Sequence, residues 1–174
     1  MAWTSKLPLI ACACILVLSA YVIYDLNGGS FDMSDRHLVL VVSDSMDGNI
    51  TEYDVDSFPA NTLIMVKHLN SQEVRFLRVG DVVSYRDDGV LVQHRVIQVE
   101  SDHVYLHGDN NHSTQKVNLE DVEGKVVGTN WVLGHLMAWI GSNYLAFIAA
   151  MFAICAVVII YGAVSDRKKE VAAE

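Results

Sequence analysis

Cysteine is missing from the whole stretch 25–141: Cys12, Cys14 and Cys155 all fall in two apolar runs towards the ends of the chain. The central segment therefore has neither a disulfide framework nor a thiol nucleophile. Basic charge is scarce there too, with eight Lys or Arg against eighteen Asp or Glu. That balance argues against nucleic acid as a partner, because neutralising phosphates takes a basic surface, and against a polybasic patch for anionic lipid. No internal repeat or low-complexity tract is present. Charge is absent altogether from residues 7–24 and 145–164, and each run is close to the roughly 20 residues a helix needs to cross a bilayer core.

Both runs read as transmembrane helices. A cleaved secretory signal is the rival for the first, which follows Lys6, and Leu9-Ile10-Ala11-Cys12 imitates a lipid-attachment site. The apolar stretch runs on past Ala11 and Ala13 to Tyr21 and Tyr24, as an anchor does. Lys6 before the first span and Arg167, Lys168 and Lys169 after the second put both termini in the cytoplasm. The expected order is a cytoplasmic end (1–6), a span (7–24), an extracytoplasmic domain (25–141), a second span (142–164) and a cytoplasmic tail (165–174). Trp139, Tyr144 and Tyr161 bracket the second span as interfacial aromatics.

Between the spans the pattern is β. Residues 37–46, HLVLVVSDSM, read as one extended strand of period two, with His37, Val39, Val41, Ser43 and Ser45 on one face. Asn27-Gly28-Gly29-Ser30 reads as a link leading to it, and 47–59 as a polar loop. Further short strands are expected at 62–67, 82–86, 90–99, 103–107 and 125–131, rich in β-branched and aromatic residues. Asp88-Gly89 is a type I′ hairpin signal. The expected fold is a small barrel-like or coiled β-domain flanked by two transmembrane α-helices.

Four side chains stand out chemically. Ser45 has a second hydroxyl, Ser43, two residues upstream on the same strand face, a nucleophile beside an oxyanion donor; taken alone, such a pair simply ends a strand at a turn. His94 sits in the valine face Val90, Val92, Val96, where desolvation keeps imidazole neutral and fit to act as a base; the plain alternative is a core histidine bonded to a carbonyl. Arg95, on the opposite face, reads as a surface residue. Gly108-Asp109-Asn110-Asn111 is a turn by composition, yet a carboxylate at Asp109 would also be placed to orient an imidazole on a neighbouring strand. His103, His107, Asp109 and His112 are the alternative of a metal site, but their spacing matches no ligand pattern.

Taken in order, Ser43-Asp44-Ser45-Met46, Val79-Gly80-Asp81-Val82-Val83, His94-Arg95-Val96, Gly108-Asp109-Asn110-Asn111 and Gly124-Lys125-Val126-Val127-Gly128 resemble the successive motifs of type I signal peptidases. The resemblance covers most of residues 38–134 and is to the archaeal and endoplasmic-reticulum branch, in which histidine stands where bacterial enzymes have lysine. It implies Ser45 as nucleophile, His94 as general base, Asp109 as the supporting acid, and Ser43 with the Ser45 N–H as oxyanion donors. Gly80-Asp81 would be a structural turn and residues 124–128 a core strand. No cofactor or metal is implied. The implied substrate is a secretory preprotein, cut outside the membrane after small residues at the first and third positions before the bond; the bilayer and the protein translocation machinery are the implied partners. Gly48 stands where the family usually has proline, a longer loop precedes Ala60-Asn61 where Gly-Asp is usual, and Gln115 stands where a second acid is common. A non-catalytic relative that binds exported segments is the competing expectation.

Overall fold

The computed structural model describes residues 30–111 and 113–171, together with Ile10, Ala13 and Val17. It separates into two units, 29–139 and a second made of the two ends of the chain. The first unit is mainly β. Its strands are β1 (Ser30–Met33), β2 (Arg36–Leu40), β3 (Leu63–His68), β4 (Val82–Asp87), β5 (Val90–Val99), β6 (His103–His107), β7 (Thr114–Asn118) and β8 (Val122–Asn130). They form one antiparallel sheet in the order β1-β2-β3-β8-β4-β5-β6-β7. β8, last in sequence, is inserted between β3 and β4 and joins the two halves of the sheet.

Two apolar clusters form the core. One gathers Val83, Tyr85, Val96, Val104, Leu106 and Val117 with neighbours; the other gathers Val41, Met46, Phe58, Ile64, Val66 and Val126 with theirs. Val82 belongs to the second cluster and Val83 to the first. Because successive side chains of a strand point to opposite faces, β4 is covered on both sides, and all of residues 82–85 are buried. β5 is alike over residues 93–96. Register shifts between Met65 and Val66, between Ser84 and Tyr85, and between Val96 and Gln98 interrupt the ladders; such bulges bend a strand and increase its twist.

The expected strands at 90–99 and 103–107 stand as read, and the others differ by a few residues at their ends. Asp88 and Gly89 have φ of 49° and 82°, the pair of positive values a type I′ turn needs. The long strand expected at 37–46 is cut short. β2 ends at Leu40, one further residue stays paired through Val41 N–H to Thr62 O (3.0 Å), and the chain then turns. Asp44 is the cause: its carboxylate accepts the Ala60 N–H (3.0 Å), and its carbonyl accepts the Asp47 N–H (3.0 Å). β1 and β7 were not expected, being short and polar. Trp131, expected to end a strand, begins the helix Trp131–Ser142.

In the second unit residues 145–164 of the expected span 142–164 lie within the helix Tyr144–Val171, while Ser142 ends the preceding helix. Among the described residues no single helix is long and apolar enough to cross a membrane; Trp131–Ser142 and Tyr144–Ile154 reach that length and composition only as a bent pair with a break between them. The expected first span (7–24) apart from Ile10, Ala13 and Val17, the N-terminus before it and residues 27–29 of the expected link lie outside the described residues, while Ser30, the last residue of that link, begins β1.

β8 pairs with β3 at Gly124, opposite His68, and an added Cβ there would lie 2.6 Å from Lys67 O and 2.6 Å from Val66 Cγ1. Neither obstacle is the free end of a long side chain, so the strands themselves must part. Gly124→Ala is expected to destabilise the fold by about 1–3 kcal/mol. A urea unfolding midpoint equal to that of the parent would show that the close approach tolerates the methyl group.

Candidate active site

The candidate site is assembled from the turn that follows β2, the middle of β5 and the turn that follows β6. Ser43 and Ser45 lie in the first of these, and despite the early end of the strand their hydroxyls remain neighbours, Oγ to Oγ 3.3 Å. Ser43 is exposed and Ser45 half-buried, while Met46 between them and the loop is fully buried and pins the turn to the core. Phe58 N–H donates to Met46 O at 2.8 Å, which closes the 47–59 loop back onto the same turn.

That turn is docked on the Gly108-Asp109-Asn110 turn. Asn110 N–H donates to Ser45 O (2.9 Å), and Asn110 Nδ2 donates to Asp44 O (3.3 Å). The register of β5 with β6, Arg95 opposite His107, brings His94 level with Gly108. A Cβ on Gly108 would lie 2.7 Å from Ser45 O and 3.1 Å from His94 Nε2. Glycine is needed because the Ser45 main chain and the imidazole edge approach the same point. Gly48 is constrained in the same way, since a Cβ there would meet Asp109 Cβ at 2.8 Å. Its N–H also donates to Met46 O (3.1 Å), a bond that proline cannot make.

His94 is buried, and burial is the main reason its pKa falls below the ordinary 6.5; the charge on His107 would push it the same way, while hydrogen bonding with Gln115 and the carboxylates of Asp109 and Asp87 push it up. Its Nδ1 is 2.9 Å from the Tyr85 hydroxyl, which also donates to Gln115 Oε1. Gln115 Nε2 in turn donates to Asp87 Oδ2 (2.9 Å). Burial, with Asp87 nearby, pushes the Tyr85 phenol up to about 12, so it stays protonated. The Ser45 hydroxyl bonds to Ser43 and not to the imidazole.

Asp109 is not joined to His94. Its carboxylate, with no solvent exposure, takes both Arg95 Nε (2.8 Å, Oδ1) and Arg95 Nη2 (2.6 Å, Oδ2), and accepts the Ser57 hydroxyl at 2.6 Å. The expectation of a surface Arg95 is corrected: its side chain is 2 % exposed. The 47–59 loop covers that face of β5, with Val55 O and Gly80 O each accepting from Arg95 Nη1 at 2.9 Å and the Tyr53 ring 5.3 Å beneath the guanidinium. Gly80 forms the expected turn with a φ of +98°, and the Tyr53 ring occupies the place of its missing Cβ. Period-two reasoning assigned Arg95 correctly to the face opposite His94, but nothing local to the strand shows that a distant loop covers it.

The chain matches no protein-family model and no curated protein.

Among the described residues no group of three or more His, Cys, Asp or Glu side chains is placed to hold a metal ion. His103 is bonded to Asp102 Oδ1 (2.6 Å), Asp109 to Arg95, and His112 lies outside the described residues. Tyr85 and Asp87 are contacts that the sequence reading missed, while Gln115, singled out as standing where a second acid is common, lies in the same chain of bonds. Tyr85 shares the alternation of β4 with Val83, which stands opposite His94; that pairing was the one available signal.

The Arg95–Asp109 pair sets a clear expectation. Asp109→Ala leaves a buried guanidinium without a counter-charge and should cost about 3–5 kcal/mol, whereas the double variant Arg95→Met/Asp109→Leu should cost less than the single one. Urea denaturation of the three proteins measures this; an Asp109→Ala protein as stable as the parent would contradict a fully desolvated pair.

Proposed function

We propose that the chain is a membrane-anchored serine endopeptidase that removes signal peptides from secretory preproteins, as a type I signal peptidase of the serine–histidine kind. The observation that carries this reading is the convergence of the Ser45 turn and His94 Nε2 on Gly108, with the Ser43 hydroxyl beside that of Ser45. In the reaction His94 Nε2 takes the Ser45 proton as Oγ attacks the scissile carbonyl. The imidazolium then gives that proton to the leaving amine as the C–N bond breaks, leaving an acyl-enzyme. Water, deprotonated by the same nitrogen, releases the acyl group and Ser45 regains its proton. Ser43 Oγ and the Ser45 N–H stabilise the oxyanion. Asp109 acts here through Arg95, holding the turn that carries Gly108.

A signal peptide keeps its apolar segment in the bilayer, so its scissile bond emerges close to the membrane surface. The apolar runs at 7–24 and 145–164 suit that task as anchors. Trp131, Val132, Leu133, Leu136 and Trp139 are exposed apolar side chains directly after β8, which supports work at a membrane surface. The substrate is read as an extended segment with small residues at the first and third positions before the bond, and the translocation machinery as its source.

One observation favours a second reading, a non-catalytic domain that binds exported segments: Ser45 Oγ is bonded to Ser43 rather than to the imidazole. Incubating the detergent-solubilised full chain with a preprotein whose signal ends in Ala-x-Ala separates the two. Cleavage that disappears in Ser45→Ala is expected, while binding without cleavage would leave the second reading.

Ser43→Ala should lower kcat by about 10²- to 10³-fold; parent-like turnover would remove Ser43 from the mechanism. The pH dependence has a definite sign. The base must be neutral, so activity is present above the working pKa of His94 and is lost as pH falls through it. Burial sets that acidic limb below 6.5. A rate profile without an acidic limb would count against His94.

A further inference from the structure

We propose that Asp87, Gln115 and Tyr85 are positioning residues that fix His94 as its Nδ1–H tautomer, leaving the lone pair of Nε2 directed at the Ser45 turn. The inference rests on the peptidase reading only for its effect on turnover; the tautomer itself follows from hydrogen-bond donors and acceptors. Asp87 fixes the start of the chain, because a carboxylate only accepts, so the group of Gln115 that faces it is the NH₂ (2.9 Å). The amide oxygen of Gln115 is thereby turned inward, where it accepts the Tyr85 hydroxyl proton. Having spent its one proton on Gln115, the phenol presents only a lone pair to His94 Nδ1, 2.9 Å away. That nitrogen must therefore carry hydrogen, and Nε2, the nitrogen facing Gly108, does not. Flipping the Gln115 amide would set its oxygen against the Asp87 carboxylate, and every bond in the chain would have to reverse.

The same order serves the reaction. When Nε2 takes the Ser45 proton, Nδ1–H is already donating to the Tyr85 oxygen, so no bond in the chain has to be exchanged. The charged or titratable groups that face the imidazole are Asp87 and Tyr85 from β4, His107 from β6, and Asp109, which is neutralised by Arg95. No ionised carboxylate touches it. Gln115 supplies orientation through an oxygen without adding charge.

The test uses the full-length protein with ¹⁵N-labelled histidine in detergent at neutral pH, His94 being assigned by the signal lost in His94→Gln. In the parent, Nδ1 should appear as a protonated nitrogen and Nε2 as an unprotonated one. Gln115→Met has similar length and no acceptor. It frees the Tyr85 hydroxyl to donate to Nδ1, so His94 should convert to the Nε2–H tautomer, with kcat on a preprotein reduced by about 10²-fold or more and KM little changed. Tyr85→Phe removes the relay and leaves only the direct bonding of Gln115 with His94, so the preference for the parent tautomer should weaken. A parent with hydrogen on Nε2, or a Gln115→Met protein with parent-like spectrum and kcat, overturns the proposal. The outcomes also separate it from the peptidase reading. An inactive parent with the expected tautomer changes sinks that reading and supports the chain of positioning residues, whereas an active parent whose tautomer ignores Gln115→Met sinks the latter alone.

Discussion

The structure depends on the buried ion pair of Arg95 with Asp109. Burying a guanidinium is tolerable only when its donors are matched, and here they reach two carboxylate oxygens and the carbonyls of Val55 and Gly80. One side chain thus gathers the 47–59 loop, the turn before β4, the middle of β5 and the turn after β6. The Ser45 turn is then seated on the last of these by Asn110 and by the close approach at Gly108. Hydrophobic packing alone would not choose this arrangement, since it is non-directional. The paired donors and acceptors do.

Two layers of polar structure follow from β5 because its successive residues face opposite sides. Arg95 serves the scaffold on one side while His94 serves the candidate chemistry on the other; the 47–59 loop covers the first and the core cluster of Val83, Tyr85 and Val96 lies on the second. The imidazole's environment differs accordingly from that of a histidine paired with an acid. It touches a phenol held protonated by burial, and formal charge lies one or more links away. A desolvated neutral base suits that environment, because charge on the ring has little water to compensate it.

Much of this was legible in the sequence and some was not, for identifiable reasons. β5, β6 and the Asp88-Gly89 turn were readable because they are local: alternation, β-branched residues and a turn pair with positive φ. β1 and β7 were not, being short, polar edge strands whose existence rests on partners elsewhere in the chain. Ser45 and His94 could be singled out by residue type, and the structure brings both to Gly108. The partner of Asp109 could not be read, because a carboxylate in a turn is near His94 and Arg95 alike, and only the covering loop decides between them. Tyr85 looked like an ordinary strand aromatic. Its hydroxyl gains meaning only when Gln115, thirty positions on, is placed beside it.

The docking of the two turns brings together segments far apart in the chain: Asp44 and Asn110, joined by a hydrogen bond, are 66 positions apart. Contacts of that separation pay their loop-closure entropy before they return anything, so they form late. A nascent or partly unfolded chain would hold the two serines and the histidine on unconnected pieces, without the geometry for any reaction. Completion of the sheet is then what assembles the candidate site, and a chain that fails to fold holds none of its side chains together.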